Sequence, residues 1–535
     1  MSAAPDTLPE DAAALKALLI AERAELLAAK ASAQTAQAEM TSARATIDRL
    51  RLIIKALQRH QFGRRSERLD PDQLQLGLEE LEQTVASAEA SAAAAKVAPR
   101  PRAPRSRERN LGALPAHLPR VEQVIEIEAK TCPCCSGALH VIGEDVAERL
   151  DVVPAQFRVL VTRRPKYACR ACEGAVVQAP APGRIVEAGL PTEALLAQVI
   201  VSKYADHLPL YRQAQIYARQ GVALDRSTLA DWVGRTAWWL KPLHERLLAL
   251  LKTSTKLFAD ETRAPVLDPG RGRTKTGQLW AYARDDRPWG GGDPPAVAYV
   301  YAPDRKAERP VSHLAGFAGI LQVDGYSGYR RLAAGGKVEL AFCWSHVRRN
   351  FHEISTDRRQ PSRAPIANEA LRRIQELYAV EAEIRGRCAE QRRHARQERS
   401  KPILDALKTW LEARLAEVSQ KATIAEAIRY MLGRWPGLVR FLDDGRVEID
   451  SNTVERSIRP LALTRKNALF AGSDGGAEHW ACLASLIETC KLNAIDPLAY
   501  LTATLTRLAG GHSINRIGEL LPWAYAAQQA RTSVA

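Results

Sequence analysis

No stretch of this chain approaches the roughly 18 consecutive apolar residues that a membrane-crossing helix needs, so no bilayer span is expected. The opening segment, Met1 to Asp11, carries acids and no apolar core, which argues against a secretory leader. Cysteine is sparse and uneven: of nine in 535 residues, five crowd between 132 and 172. An odd number so placed suits a reduced compartment and a metal site better than a disulfide framework, and the expected location is cytoplasmic.

What the chain does have is positive charge. Its 76 Lys and Arg against 61 Asp and Glu leave +15, which favours a polyanionic partner, nucleic acid first and an acidic membrane surface second. The 46% apolar and 26% charged content is that of a soluble globular protein, and the length exceeds what one core fills.

Six segments follow from the pattern. Residues 1–84 contain a long helix whose apolar positions, from Leu15 and Leu19 to Ile54 and Leu57, step by four and three, as in a coiled coil that joins two copies. The helix runs into a basic patch with Arg64 and Arg65, which either neutralises DNA phosphates or simply ends the coil. Residues 85–119 are an Ala/Pro/Arg-rich linker, extended by proline and by charge repulsion.

Residues 120–182 form a small β module with two cysteine knuckles. Cys132, Cys135, Cys169 and Cys172 are spaced to hold one tetrahedral Zn²⁺, with Cys134 as an alternative to Cys135. Phe157–Tyr167 alternates enough to be a strand, and Arg163, Arg164 and Lys166 on it are candidate DNA contacts. In 183–252 two helical patterns flank Gly221. They read either as a helix-turn-helix with Ser227 and Thr228 at the start of its second helix, or as helices bracing the next domain.

From 253 to 500 the texture changes to short apolar strands. Asp260 and Asp324 each stand at the end of a buried strand, and Glu339–Trp344 is a third strand feeding a helix. Three strands, a helix, a strand, a helix and a strand is the order of the ribonuclease-H fold, with a helical insertion at about 360–445. Neighbouring strand-end carboxylates repel unless a cation joins them, and hard oxygen donors suit Mg²⁺ (or Mn²⁺). Glu455 either completes that set or, with Asn452, forms a helix capping box. Residues 501–535 read as a helical tail.

These residues carry a resemblance. ADET at 259–262, VDGY at 323–326, CWSHVRRNF at 343–351, the stretch SNTVERSIRPLALTRKNALFAGSDGGAE at 451–478, Leu486–Tyr500, FGRRSERL at 62–69 and the double knuckle are together similar to the insertion sequence 66 family of bacterial transposases. The family commonly has Asp-Asn-Asn where this chain has Asp450-Ser451-Asn452, which loses an amide and no acid. The resemblance implies a multidomain α+β and α/β protein with a ribonuclease-H-like DDE core, in which Asp260, Asp324 and Glu455 bind the catalytic metal ions. It implies binding to the terminal inverted repeats of an element, cutting there, and joining the 3′ ends to target DNA. Accessory proteins of the same element and a place at the bacterial nucleoid go with it. His346, Arg348 and Arg349 after the third strand, and Arg459, Arg465, Lys466 and Asn467 on the helix of Glu455, are the expected DNA contacts. Two other readings of the same residues are an end-binding repressor without catalysis and a nuclease that does not join strands.

Overall fold

Strand alternation in the middle of the chain builds one mixed five-stranded sheet. The computed structural model describes residues 156–167, 177–187, 189–268, 273–356 and 364–532. The expected coil, Arg64, Arg65, the linker and Cys132, Cys135, Cys169 and Cys172 lie outside them. A two-residue ladder pairs β1 (Lys166–Tyr167) with β2 (Val177–Gln178), antiparallel. The larger sheet comprises β3 (Lys256–Asp268), β4 (Arg273–Arg284), β5 (Ala296–Ala302), β6 (Gly319–Val323) and β7 (Val338–Phe342), in the order β5-β4-β3-β6-β7. The β3–β4–β5 part is antiparallel, and β6 and β7 add in parallel through α4 (Glu308–His313) and α5 (Tyr329–Ala333). Gly325, just past β6, has φ +106°, and a Cβ there would meet the Arg434 side chain at 2.8 Å, so this turn requires glycine.

Helices cover the sheet. α1 (Glu193–Tyr204), α2 (Leu210–Arg219) and α3 (Arg226–Leu251) precede it, and α12 (Asn452–Ala468), α13 (Asp474–Leu492), α14 (Pro497–Ala509) and α15 (Pro522–Thr532) follow the insertion. Leu240 and Leu247 of α3, Phe258 and Trp280 of the sheet, Leu486 of α13 and Leu501 of α14 belong to one buried cluster. The edge strand β5 is closed by hydroxyls rather than by another strand. Val297 N–H donates to Thr489 Oγ1 (3.2 Å), which in turn donates to the Val297 carbonyl (3.0 Å), and Tyr299 N–H donates to Ser485 Oγ (2.7 Å). His244 Nε2 meets the Tyr299 carbonyl at 2.9 Å, and burial lowers that imidazole to about 4, so it donates as a neutral ring. Covering an edge in this way removes a site for wrong pairing.

The insertion has its own core. Between α6 (Trp344–Thr356) and α12 lie α7 (Ala364–Ile384), α8 (Ala389–Ala395), α9 (Lys401–Glu417), α10 (Thr423–Leu432) and α11 (Trp435–Leu438). Trp344, Phe351, Ile374, Leu407 and Ile428 are buried together there. Two arginines with almost no exposed surface anchor the return to the sheet. Arg396 donates to both Glu381 oxygens (2.7 Å each) and to the Phe441 carbonyl (2.9 Å), and Arg392 donates to Glu448 (2.8 Å). The segment 446–450 is thereby fixed, and the sheet grips it from the other side. Lys256 Nζ donates to the Arg446 carbonyl (2.8 Å), and Gln322 Nε2 to the carbonyls of Glu448 (2.7 Å) and Asp450 (2.9 Å).

Three expectations are corrected. Residues 156–165 are not a strand. Val159 is 87% exposed and finds no partner strand among the described residues, and alternation without a face to bury does not hold a strand. β3 does not end at its acids but runs on to Asp268, because Arg263–Asp268 pair with Arg273–Gln278 and the loop after α12 docks on it, Leu267 N–H donating to the Ala471 carbonyl (2.8 Å). The boundary at 500 falls inside α14, whose Tyr500 and Leu501 are buried with the sheet. Among the described residues no helix is long and apolar enough to cross a membrane.

The buried fork gives a prediction. Arg396→Leu takes from buried Glu381 its two short bonds, leaving only the 3.4 Å contact with Arg392, and is expected to lower unfolding stability by about 3–5 kcal/mol. Arg396→Leu combined with Glu381→Leu should recover much of that loss. Urea denaturation of both variants decides it, and a double variant no better than the single would show that packing rather than the uncompensated charge sets the cost.

Candidate active site

The acid site, midway along β3 and just past the end of β6, is built by register. Parallel pairing between these strands covers only Lys256–Phe258 against Ile320–Gln322, so Asp260 and Asp324 lie just past it on adjacent strands. Both remain partly open to solvent. Asp260 Oδ1 accepts the Glu261 N–H (2.7 Å), and Asp324 Oδ1 accepts the Tyr326 N–H (2.8 Å), which orients each carboxylate. From the insertion, Tyr430 donates to the Asp324 carbonyl (3.4 Å) and Arg434 to that of Gly325 (3.3 Å), so the end of α10 and the residues after it steady this turn.

Glu455 comes from the first turn of α12 and is 5% exposed. The capping box does not form. Ser451 is the N-cap with no side-chain capping bond, Asp450 Oδ1 takes the Asn452 N–H (3.1 Å), and the Glu455 carboxylate turns to β7 and α6. There Glu455 Oε1 lies 4.0 Å from Cys343 Sγ and 3.9 Å from His346 Nδ1. Ser451 N–H donates to the same sulfur (3.2 Å). Burial, then the Glu455 and Asp450 charges, push the Cys343 thiol up to about 12.

The electrostatics single out Asp260. Enclosure by protein, then repulsion from Asp324, Glu261 and Glu455, hold its carboxyl well above the usual aspartate range. Its charged neighbours that matter are all acids, so the site is arranged as a cation acceptor. The sequence pattern did not single out Glu261, whose side chain is 1% exposed. It accepts from Arg305 Nε (2.7 Å) and Tyr329 (2.9 Å), while burial and Asp324 raise its pKa. Arg305 also stacks 4.1 Å from the Tyr326 ring centroid, at the rim of the cleft. Its neighbour Asp260 was the only sequence signal for Glu261, and Arg305 had none.

The other expected site residues are dispersed. His346, beside Glu455, and Arg348 and Arg349 are half-buried on α6, and Arg459 is half-buried and Lys466 exposed on α12. Arg465 is turned inward, against the expectation of a DNA contact. It is 5% exposed and donates to the Arg263 carbonyl (2.6 Å) and to Thr262 Oγ1 (3.2 Å), because its face of α12 packs on β3. Asn467 Nδ2 likewise holds the His207 carbonyl (3.0 Å). Ser227 is exposed and Thr228 half-buried in the first turn of α3. Arg163 and Lys166 are exposed, and Arg164 Nε donates to the Ala179 carbonyl (2.9 Å).

Comparison with known proteins agrees along the chain. A family model described as "Transposase IS66 family" matches 188–479, more than half of the residues. The "zinc-finger binding domain of transposase IS66" matches 129–173, which spans all five clustered cysteines. The "IS66 C-terminal element" matches 485–523, and "Transposase C of IS166 homeodomain" matches 49–122. Among relatives, the uncharacterized protein y4jD of Sinorhizobium fredii is 48% identical over 90% of this chain and 95% of its own length. The uncharacterized protein y4qI of the same organism is 47% identical over 96% and 97%.

A stability test follows from the repulsion at Asp260. An acid whose pKa is raised by folding binds more protons folded than unfolded, so its contribution to stability falls as pH rises above the ordinary aspartate value. In chelator, Asp260→Asn is therefore expected to melt above wild type, with a gap that widens as pH rises, each kcal/mol relieved raising Tm by about 2–4 °C. Mg²⁺ should raise the Tm of wild type more than that of the variant. Calorimetry in EDTA across pH checks this, and a variant that melts lower at every pH would refute the repulsion argument.

Proposed function

This chain belongs to the IS66 transposase family, and on that footing we propose that it cuts DNA at the terminal inverted repeats of its own element and joins the freed 3′ ends to target DNA. The sheet order and the helical insertion support a ribonuclease-H-like core of the DDE type. The observation that carries the reading is the placement of Asp260 among acids alone, with Asp324 and Glu455 within Coulomb reach in an open cleft. Oxygen donors of this kind fit Mg²⁺ or Mn²⁺. Asp260, Asp324 and Glu455 would hold such ions. When bound, such ions activate the attacking oxygen and stabilise the leaving one in an in-line displacement.

In the first step a water oxygen bonds to the scissile phosphorus and the bond to the 3′ oxygen breaks, leaving a 3′-hydroxyl. In the second, that hydroxyl attacks a target phosphodiester and displaces its 3′ oxygen, with no protein–DNA bond at any stage. Arg348, Arg349 and Arg459, half-buried on the helices that carry His346 and Glu455, and the exposed Lys466 would hold phosphates. His346, next to Glu455, would orient the scissile group. The exposed start of α3 with Ser227 and Thr228, together with Arg163, Arg164 and Lys166 of the small module, would meet DNA farther from the cut. Cys132, Cys135, Cys169 and Cys172 would hold Zn²⁺ in the matched zinc-finger segment. The N-terminal coil would join copies, with Arg64 and Arg65 near DNA. The protein would work in the bacterial cytoplasm at the nucleoid, with or without accessory proteins of the element.

Glu455→Gln keeps the shape and removes the charge. It should bind a labelled terminal-repeat duplex as wild type does and reduce Mg²⁺-dependent cleavage to the level seen in EDTA. Cleavage retained in that variant would falsify the metal assignment. Arg348→Ala and Lys466→Ala should each weaken binding to any sequence and lower the slope of log affinity against log salt by about 1. A filter-binding series across salt measures it, and an unchanged slope removes that residue from the phosphate contacts.

A further inference from the structure

Beside the acids lies a donor set of different chemistry. Cys343 follows β7, His346 stands in the first turn of α6, and both face Glu455 at the start of α12. The sulfur, Nδ1 and a carboxylate oxygen lie within 4.8 Å of one another. Among the described residues this is the one group of three or more metal-ligating side chains so tightly gathered, and the three acids Asp260, Asp324 and Glu455 are not.

Zinc takes sulfur at about 2.3 Å, imidazole at about 2.0–2.1 Å and carboxylate at about 2.0–2.2 Å, so tetrahedral geometry sets sulfur–oxygen and nitrogen–oxygen edges of about 3.4–3.6 Å. The observed 4.0 and 3.9 Å exceed these by only a few tenths of an ångström. His346 Nδ1 is buried and makes no hydrogen bond, which is rare for a ring nitrogen unless a ligand completes it. The Ser451 N–H on the sulfur is the outer support a thiolate ligand uses. A thiolate, an imidazole and one carboxylate suit a borderline-soft ion and are a poor set for Mg²⁺.

We propose that Cys343, His346 and Glu455 form a second metal site that takes zinc, with solvent as fourth ligand, and that zinc there withdraws Glu455 from Asp260 and Asp324. The withdrawal rests on the reading of Glu455 as an acid of the cleavage site, whereas the binding does not. Binding releases the Cys343 proton to solvent. The site is then a brake: free zinc holds the protein in a state that binds DNA ends and does not cut.

Cobalt(II) tests the site on the full chain, with zinc left in the cysteine-rich segment and labile metal removed by a mild chelator. Wild type should gain a thiolate-to-cobalt charge-transfer band with strong tetrahedral visible bands. Cys343→Ser should lose the charge-transfer band, and His346→Ala and Glu455→Gln should bind cobalt roughly tenfold or more weakly. In Mg²⁺-dependent cleavage, zinc should inhibit wild type over the range in which it displaces cobalt, and Cys343→Ser should need roughly tenfold or more zinc for the same fractional loss. An unchanged band in Cys343→Ser overturns the proposal, since the thiolate then belongs elsewhere. Undiminished cobalt affinity in Glu455→Gln overturns it too, and so does zinc inhibition equal in wild type and Cys343→Ser. A wild type that never cuts would sink the transposase reading, and the cobalt titration would still decide the site.

Discussion

The constraint on which the rest depends is the crowding of like charge midway along β3 and just past the end of β6. Asp260 meets Asp324, Glu261 and Glu455 where surrounding protein already costs its charge, and each of the three acids acts further against its ionised form. Left to itself such a cluster would spread, since the cost of burying unpaired charge is several kcal/mol. The sheet prevents that. Asp260 is mid-strand, laddered on one side to Ala281, and the turn of Asp324 is tied by its own hydrogen bond, by Tyr430 of α10 and by Arg434 just beyond that helix. Glu261 is relieved by Arg305 and Tyr329, which leaves Asp260 as the acid without such help.

Glu455 arrives from far away in sequence, and the structure invests its buried polar groups in that approach. Arg392 and Arg396 fix Glu448 and Glu381, and Gln322 and Lys256 hold the carbonyls of 446–450 from the sheet side. These are charges and amides where leucine would pack as well, and replacement of such groups by apolar residues is often neutral for stability. Their directionality is what apolar packing lacks: hydrogen bonds fix the segment in one register, and one register fixes where α12 begins. The helical insertion is thus a lever on the acid site as well as a separate core.

Much of this was legible because it is local. The apolar runs around 256–260, 278–284, 296–301, 319–323 and 339–342 are strands, and the acids after the runs at 260 and 324 do share a cleft. Family motifs pointed to Glu455, where the capping pattern alone left two readings. What was not legible depends on partners distant in sequence. The extension of β3 past its acids needs β4 and Ala471, the inward turn of Arg465 needs the face of β3, and the Glu261–Arg305 pair joins residues 44 apart with no pattern between them. The apolar alternation at 157–161 misled for the same reason: a strand pattern is only an offer, and here no described strand accepts it. The two readings of 183–252 also depend on packing, and α3 has room for both, with Trp232 and Leu240 in the shared core and Ser227 at the surface.

Donor spacing then separates the two halves of the cleft. Mg²⁺ binds oxygen at about 2.0–2.1 Å and keeps several waters, so it asks for one or two carboxylates plus substrate oxygens rather than a closed cage. If Asp260, Asp324 and Glu455 hold Mg²⁺ as proposed, these acids, near enough to repel but not gathered as one compact donor group, would meet that demand with DNA phosphate supplying the remaining donors. Cys343, His346 and Glu455 stand closer and carry softer atoms, which is the demand of an ion that needs no substrate to complete it. One carboxylate belongs to both sets. On the two proposals its allegiance would be set by what else is present: Mg²⁺ and DNA phosphate would favour the open set, and free zinc the compact one. On the proposed reading, a cleavage site arranged in this way would gather its metal only after DNA is bound.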